Sequence, residues 1–185
     1  YVLAHCHTAP SVNNALAAGV RSIEHGSILD EATAARIVEQ QAFMIPTLLV
    51  MEVLAKSAEA GEIPHYSQMK LKQVRTQMPL SVELAAHVGV PLGSGTDILG
   101  ARQSGRGAEL ALKAKVLGPA KAIVSATGTN ARLFRMEDRI GGVKEGMEAD
   151  LIAVVGDPLS DIGLLAHANN VRLVVKWGQI LKETM

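Results

Sequence analysis

The stretch GVRSIEHGSILD, residues 19–30, decides how this chain reads. Val20 to His25 has the character of a buried strand, and Asp30 can cap the helix that follows. An imidazole therefore stands at the carboxyl end of a strand, just before a helix. VLAHCHT at 2–8 has the same design: an apolar strand with His5 at its end, then APSVNNALAAGV at helical spacing with Gly19 as C-cap. Downstream, LDEATAARIVEQQ reads as a helix and AFMIPT as a third strand stopped by Pro46. Residues 48–88 contain two helical stretches separated by GEIPHY, and VPLGSGTD is a fourth strand ending at Asp97. Helices are expected at 106–116 and 119–126.

Strand, helix, strand, helix implies parallel strands joined by helical crossovers. An eight-unit barrel averages about 31 residues per unit. The units here have that size, but only four are present, which makes half a TIM-type (β/α)8 barrel. After residue 139 the texture changes. RIGGVKEGMEADLIAVVGDPL has glycine turns around an apolar strand, and NNVRLVVKWGQILK reads as a hairpin turning at Trp177-Gly178. The expected division is a half-barrel at 1–138 and a small β appendage at 139–185. The sequence opens inside a strand and without a start methionine, so it is expected to be the C-terminal part of a longer chain.

Composition removes several function classes. With 48% hydrophobic and 19% charged residues the chain is globular, not disordered. Zero formal net charge and the lack of a basic, aromatic-rich cluster argue against nucleic acid or an anionic membrane as partner. No apolar run reaches the roughly 18 residues of a membrane span. A single cysteine, Cys6, allows no internal disulfide and favours a reducing compartment, hence a cytoplasmic protein.

His5, His25 and Asp97 each end a predicted parallel strand. In a barrel those ends converge on the face where active sites are built. Two imidazoles and a carboxylate together form a zinc-type ligand set. Taken singly, each has a plainer reading: a satisfied polar residue for either histidine, a helix cap for Asp97.

AHCHT, GVRSIEHGSILD, VPLGSGTD and GGVKEGMEADLIAVVGDPL resemble, in that order, the second half of the amidohydrolase superfamily. The branch most resembled is the imidazolonepropionase-related one that contains metal-dependent Xaa-Pro dipeptidases (prolidases). The resemblance spans essentially the whole chain. It implies that His5 is the strand-five histidine, His25 the strand-six histidine and Asp97 the strand-eight aspartate. All three are then metal ligands, with Asp97 also the catalytic proton carrier. It implies one or two divalent ions, zinc being the expected choice. The final β segment then belongs to a small composite sheet domain. The family's His-x-His pair on strand one and its strand-four lysine have no counterpart here. His-Cys-His at 5–7 imitates the strand-one pair, but the Ile-Glu-His-Gly that follows assigns it to strand five.

The reaction implied is hydrolysis of a C–N bond in a dipeptide or other small molecule, and the half-barrel alone is expected to be inactive. An imidazolonepropionase- or deaminase-like hydrolase is the second reading, disfavoured by Thr8 where those relatives often carry an acidic residue. A silent binding or assembly module is the third. His7 shares the face of His5 by strand alternation and is expected to touch substrate. Cys6 should face the helices. Arg102 and Arg106 follow Asp97 and could hold a substrate carboxylate bidentately. Glu24 either orients the site or caps a strand. His65 and Tyr66 could line a lid, while His87 and His167 read as surface. The open sheet edges call for closure by the missing N-terminal half or by assembly into a homo-oligomer.

Overall fold

The structure is a computed structural model that describes residues 1–103 and 105–184; the side chains of Ala101 and Arg102 lie outside the description. The chain divides into two compact units, Tyr1–Gly100 and Ala101–Met185.

The first unit alternates strand and helix. Strands β1 (Leu3–Thr8), β2 (Ser22–Ile28) and β3 (Phe43–Ile45) form a parallel sheet in the order β1-β2-β3. Helices α1 (Ala9–Ala17) and α2 (Glu31–Glu39) make the crossovers. Asp30 caps α2, its carboxylate accepting the Thr33 amide at 2.7 Å, and Gly19 takes φ 76° after α1. α3 (Leu48–Glu59) and α4 (His65–Val88) follow, and α4 packs against β2. Val12, Leu16, Ile23, Ile37, Met44, Met78 and Val82 are completely buried or nearly so and form the core under the sheet.

Two expectations need correction. The second strand does not stop at His25 but runs on to Ile28, because a bulge absorbs the irregular residues. The fourth strand is reduced to a single parallel bridge, Met44 with Leu92. Its backbone still lies beside β3, with the Gly93 amide donating to the Met44 carbonyl at 2.9 Å and the Met44 amide to the Pro91 carbonyl at 3.1 Å. Pro91 has no amide to offer, and Gly93 and Gly95 weaken strand pairing.

The second unit opens with α5 (Ala108–Leu117) and α6 (Pro119–Val124), then a π turn at Ser125–Thr129 and the short α7 (Asn130–Leu133). β4 (Leu151–Val154), β5 (Val171–Lys176) and β6 (Gln179–Glu183) form an antiparallel sheet in that order. The hairpin turns at Trp177-Gly178 as its sequence requires. Glu109 and Lys113, one turn apart on α5, are buried, with a carboxylate oxygen 3.8 Å from the ammonium. Burial pushes the Lys113 amine down to about 8 against the opposing pull of Glu109. No helix among the described residues is long and apolar enough to cross a membrane.

Candidate functional site

The site grows from the alternation of β1. Successive side chains point to opposite faces. Cys6 is buried, its thiol donating to the Ser11 carbonyl at 3.6 Å. His5 and His7 emerge together on the other face, as expected. Ser11 also accepts the Thr8 amide at 3.1 Å, so the end of β1 is tied to the start of α1.

β2 supplies the central imidazole. Pairing with β1 runs from Leu3–Ser22 to Cys6–His25 and resumes at Thr8–Ile28, leaving one extra residue in β2. His25 and Gly26 take φ 73° and 55° within that bulge. A left-handed residue other than glycine costs roughly 1–2 kcal/mol, so the surroundings must hold it. Here they aim the ring. His25 Nε2 lies 2.8 Å from His5 Nδ1, and His25 Nδ1 lies 2.9 Å from Thr47 Oγ1. The His7 ring stacks on His25, centroids 4.6 Å apart and planes within 5°, while His7 Nδ1 meets Ser27 Oγ at 2.9 Å.

Electrostatics favours the neutral form of His25 and of His7. Burial, then the nearby His7, pushes His25 down to about 4, while Asp97 opposes the shift. Burial also lowers His7, helped by His5 and Lys70 and opposed by Asp97. Neutral His25 has one N–H. With Nδ1–H donating to Thr47, the Nε2 lone pair faces His5. Neutral imidazole, its far nitrogen anchored by a hydroxyl, is the form that ligates a metal. Glu24 is half-buried and accepts the Ser22 hydroxyl at 2.5 Å; burial raises its pKa, and the charges of His5 and Asp97 both reach it.

Asp97 is exposed and left-handed, with φ 54°. Gly95 allows its loop to lie close to β3, since a Cβ there would stand 3.1 Å from Ile45 Cγ2. Asp97 is thus in electrostatic range of His7, Glu24 and His25. Among the described residues, however, no three His, Cys, Asp or Glu side chains converge in a ligating arrangement. The expected three-ligand set is here an imidazole pair with a carboxylate farther off. The pair brings two imidazole nitrogens together at adjacent strand ends, the donor type that a divalent ion takes once the hydrogen bond between them is given up.

Both arginines belong to the second unit. Arg102 has its side chain outside the described residues, and Arg106 is exposed in the second unit. His65 and Tyr66 are exposed at the start of α4, His87 is exposed at its end, and His167 is exposed in the second unit. Sequence reading missed Thr47 and Ser27. Both follow the rule that found the histidines, since each lies at the carboxyl end of a parallel strand, but hydroxyls are too common there to stand out.

The amidohydrolase family matches residues 1–181. Ochratoxinase of Aspergillus niger is 30% identical over 183 residues, covering 98% of this chain and 38% of that protein. A prolidase solved with N-methylphosphonate-L-proline superimposes with a TM-score of 0.94 at 36% identity, covering 100% of this chain and 45% of that one. A Xaa-Pro dipeptidase with methionine bound in its active site gives 0.90 at 33% identity, over 98% of this chain and 45% of that one. The chain therefore spans less than half the length of these relatives. Four motifs in order, a parallel βα unit and a match along nearly the whole sequence converge on one conclusion: the chain belongs to the amidohydrolase family, whose members generally use divalent metals.

Proposed function

We propose that this chain carries part of the active site of a metal-dependent hydrolase that cleaves the C–N bond of an Xaa-Pro dipeptide. The observation that carries the reading is the 2.8 Å approach of His5 Nδ1 to His25 Nε2 at adjacent strand ends, beside Asp97. On this reading residues 1–138 are strands five to eight of a TIM-type (β/α)8 barrel, and 139–185 belong to a small β domain. The parallel β1-β2-β3 sheet, with the 90–97 segment alongside, supports it. The free edge of β1 then needs strands from the rest of the protein or from a second copy.

His5 and His25 would hold the ion, zinc being the proposed choice, with Asp97 as the third ligand. Such an ion supplies Lewis acidity, polarising the scissile carbonyl and making water a nucleophile near neutral pH. Thr47 fixes the His25 ring, and His7 stacks against it, shielding one face from solvent. Asp97 takes a proton from the attacking water and returns it to the leaving nitrogen. Arg102 and Arg106 are proposed partners for the substrate, on the ground that a guanidinium holds a carboxylate bidentately.

Two substitutions in the complete gene product test this. His25→Ala should lose bound metal by elemental analysis. Asp97→Asn should fold, because asparagine tolerates the left-handed backbone, and lose at least about 10²-fold in kcat on dipeptides. Metal content unchanged in the first, or kcat within a few-fold of wild type in the second, removes the assignment. A dipeptide library would then define the residue before proline.

A further inference from the structure

The second unit holds a cleft of about 280 Å³ that shares no residue with the histidine cluster. One side is irregular helix: Gly128 and Thr129 from the π turn, then Ala131 and Arg132 from α7. The turn Ile140–Gly142 faces it. Gly141 takes φ 89°, and a Cβ on it would stand 2.6 Å from Ala131 Cβ and 3.0 Å from the Thr127 carbonyl oxygen. Glycine is what lets the turn lie this close to the helix. A π turn gives up regular helical hydrogen bonding, and such turns recur at functional sites. Apolar contact area comes from Val124, Ile140 and Met147, with Val124 left 53% exposed. Charges of both signs also line the cleft, Arg132 and Lys144 against Glu137, and all three side chains are exposed. Arg132 Nη2 donates to Thr129 Oγ1 over 3.5 Å, a long contact on the helix side of the cleft.

We propose that this cleft is a binding site for a free aliphatic α-amino acid of about leucine's size. The inference goes beyond the hydrolase reading and stands whether or not that reading does. Two cations alone would suit inorganic phosphate. Glu137 repels a dianion, however, and the apolar area offers such an ion nothing. A ligand with one carboxylate, one ammonium and a short apolar chain uses every group present. Its carboxylate pairs bidentately with the Arg132 guanidinium, with Lys144 as a second cation. Its ammonium pairs with Glu137. Its side chain covers Val124, Ile140 and Met147 and takes their apolar surface out of water. Exposed ion pairs are individually weak, so binding needs the three contacts together, and that requirement makes the site selective.

Equilibrium binding tests this without any turnover. L-leucine is titrated calorimetrically into the complete gene product beside three probes that each lack one feature. 4-Methylpentanoate lacks the ammonium, 3-methylbutylamine lacks the carboxylate, and glycine lacks the side chain. L-leucine should bind at least about 5-fold more tightly than each of the three, the size of one modest contact. Glu137→Gln should abolish the preference over 4-methylpentanoate and leave the other two. Arg132→Gln should abolish the preference over 3-methylbutylamine; Lys144→Gln is a second variant should that change disturb folding, and should narrow the same preference. Ile140→Ala should narrow the preference over glycine. The inference is overturned by absence of saturable binding, by equal affinity for the four compounds, or by L-leucine binding that survives Glu137→Gln and Arg132→Gln unchanged and is lost in His25→Ala, which would place the ligand at the histidines. If the preferences appear as stated and no dipeptide is hydrolysed, the hydrolase reading fails and the cleft assignment stands.

Discussion

Two dipeptides in this chain share one unusual backbone. His25-Gly26 in β2 and Trp177-Gly178 between β5 and β6 are both left-handed, with φ of 73° and 55° in the first and 51° and 76° in the second. At Trp177-Gly178 topology asks for it. Lys176 pairs with Gln179 across a two-residue turn, and positive φ at both central positions matches the twist of the flanking strands. The turn is exposed and tied by the Trp177 amide to Asp150 Oδ1 at 2.8 Å. At His25-Gly26 no turn is made. The chain continues as a strand, buried, with pairing to β1 broken and resumed. What the conformation achieves there is to point one imidazole at His5 and Thr47. The same strain is thus topological in one place and tied to the candidate site in the other. That difference identifies His25 more strongly than its residue type does.

If the comparison is sound, one methyl group should cost very different amounts at the two glycines. A Cβ on Gly26 would stand 2.8 Å from Met44 Sδ and 2.9 Å from Met44 Cε, in a fully packed core. Gly26→Ala combines that overlap with left-handed strain, and should destabilise the protein by about 3 kcal/mol in urea denaturation. It should also disturb the 2.8 Å contact of His25 with His5, read as altered imidazole NMR shifts. Gly178→Ala meets nothing within 4 Å. Only the backbone term remains, so a loss of about 1 kcal/mol is expected. Equal losses at the two sites would mean that the flexible Met44 side chain steps aside, and that the bulge is not held by packing.

The same contrast shows what a sequence can disclose. Alternation in β1 placed His5 and His7 on one face and Cys6 on the other, because a strand's period of two leaves no choice. The Asp30 cap and the Trp177-Gly178 turn were legible because each is a local hydrogen-bonding problem with few solutions. The bulge at His25 was not legible. It depends on the register between β1 and β2 and on Met44, a residue 18 positions beyond Gly26 that lies directly against it. Thr47 and Ser27 were missed for the same reason: their roles are set by where two rings happen to point. The fourth strand was read from apolar residues and a terminal aspartate, but Pro91 and two glycines limited it to one bridge. In the second unit the apolar strand pattern was right, yet Ile152, Ile180 and Leu181 remain exposed. Pattern predicts which side chains want cover, not whether the covering surface is supplied.

The smallest effect is expected at the turn residue itself. Trp177→Asn installs the residue most at ease with positive φ before glycine, which should favour the turn by several tenths of a kcal/mol. It also removes the indole over which the Lys176 ammonium sits, 4.7 Å from the ring centroid. At an exposed site that contact is worth about 0.5–1 kcal/mol. The indole is 70% exposed, so little burial is lost with it. The two terms oppose each other, and the net change should stay within about 0.5 kcal/mol. Native-state amide exchange at Val175 and Ile180 would read this locally. Bound metal and the His25 resonances should not move at all. A loss above about 1.5 kcal/mol would exceed what turn preference and one exposed cation–π contact can explain. The hairpin pair would then also be fixed by its side chain, and the line between a topological left-handed pair and a functional one would have to be redrawn.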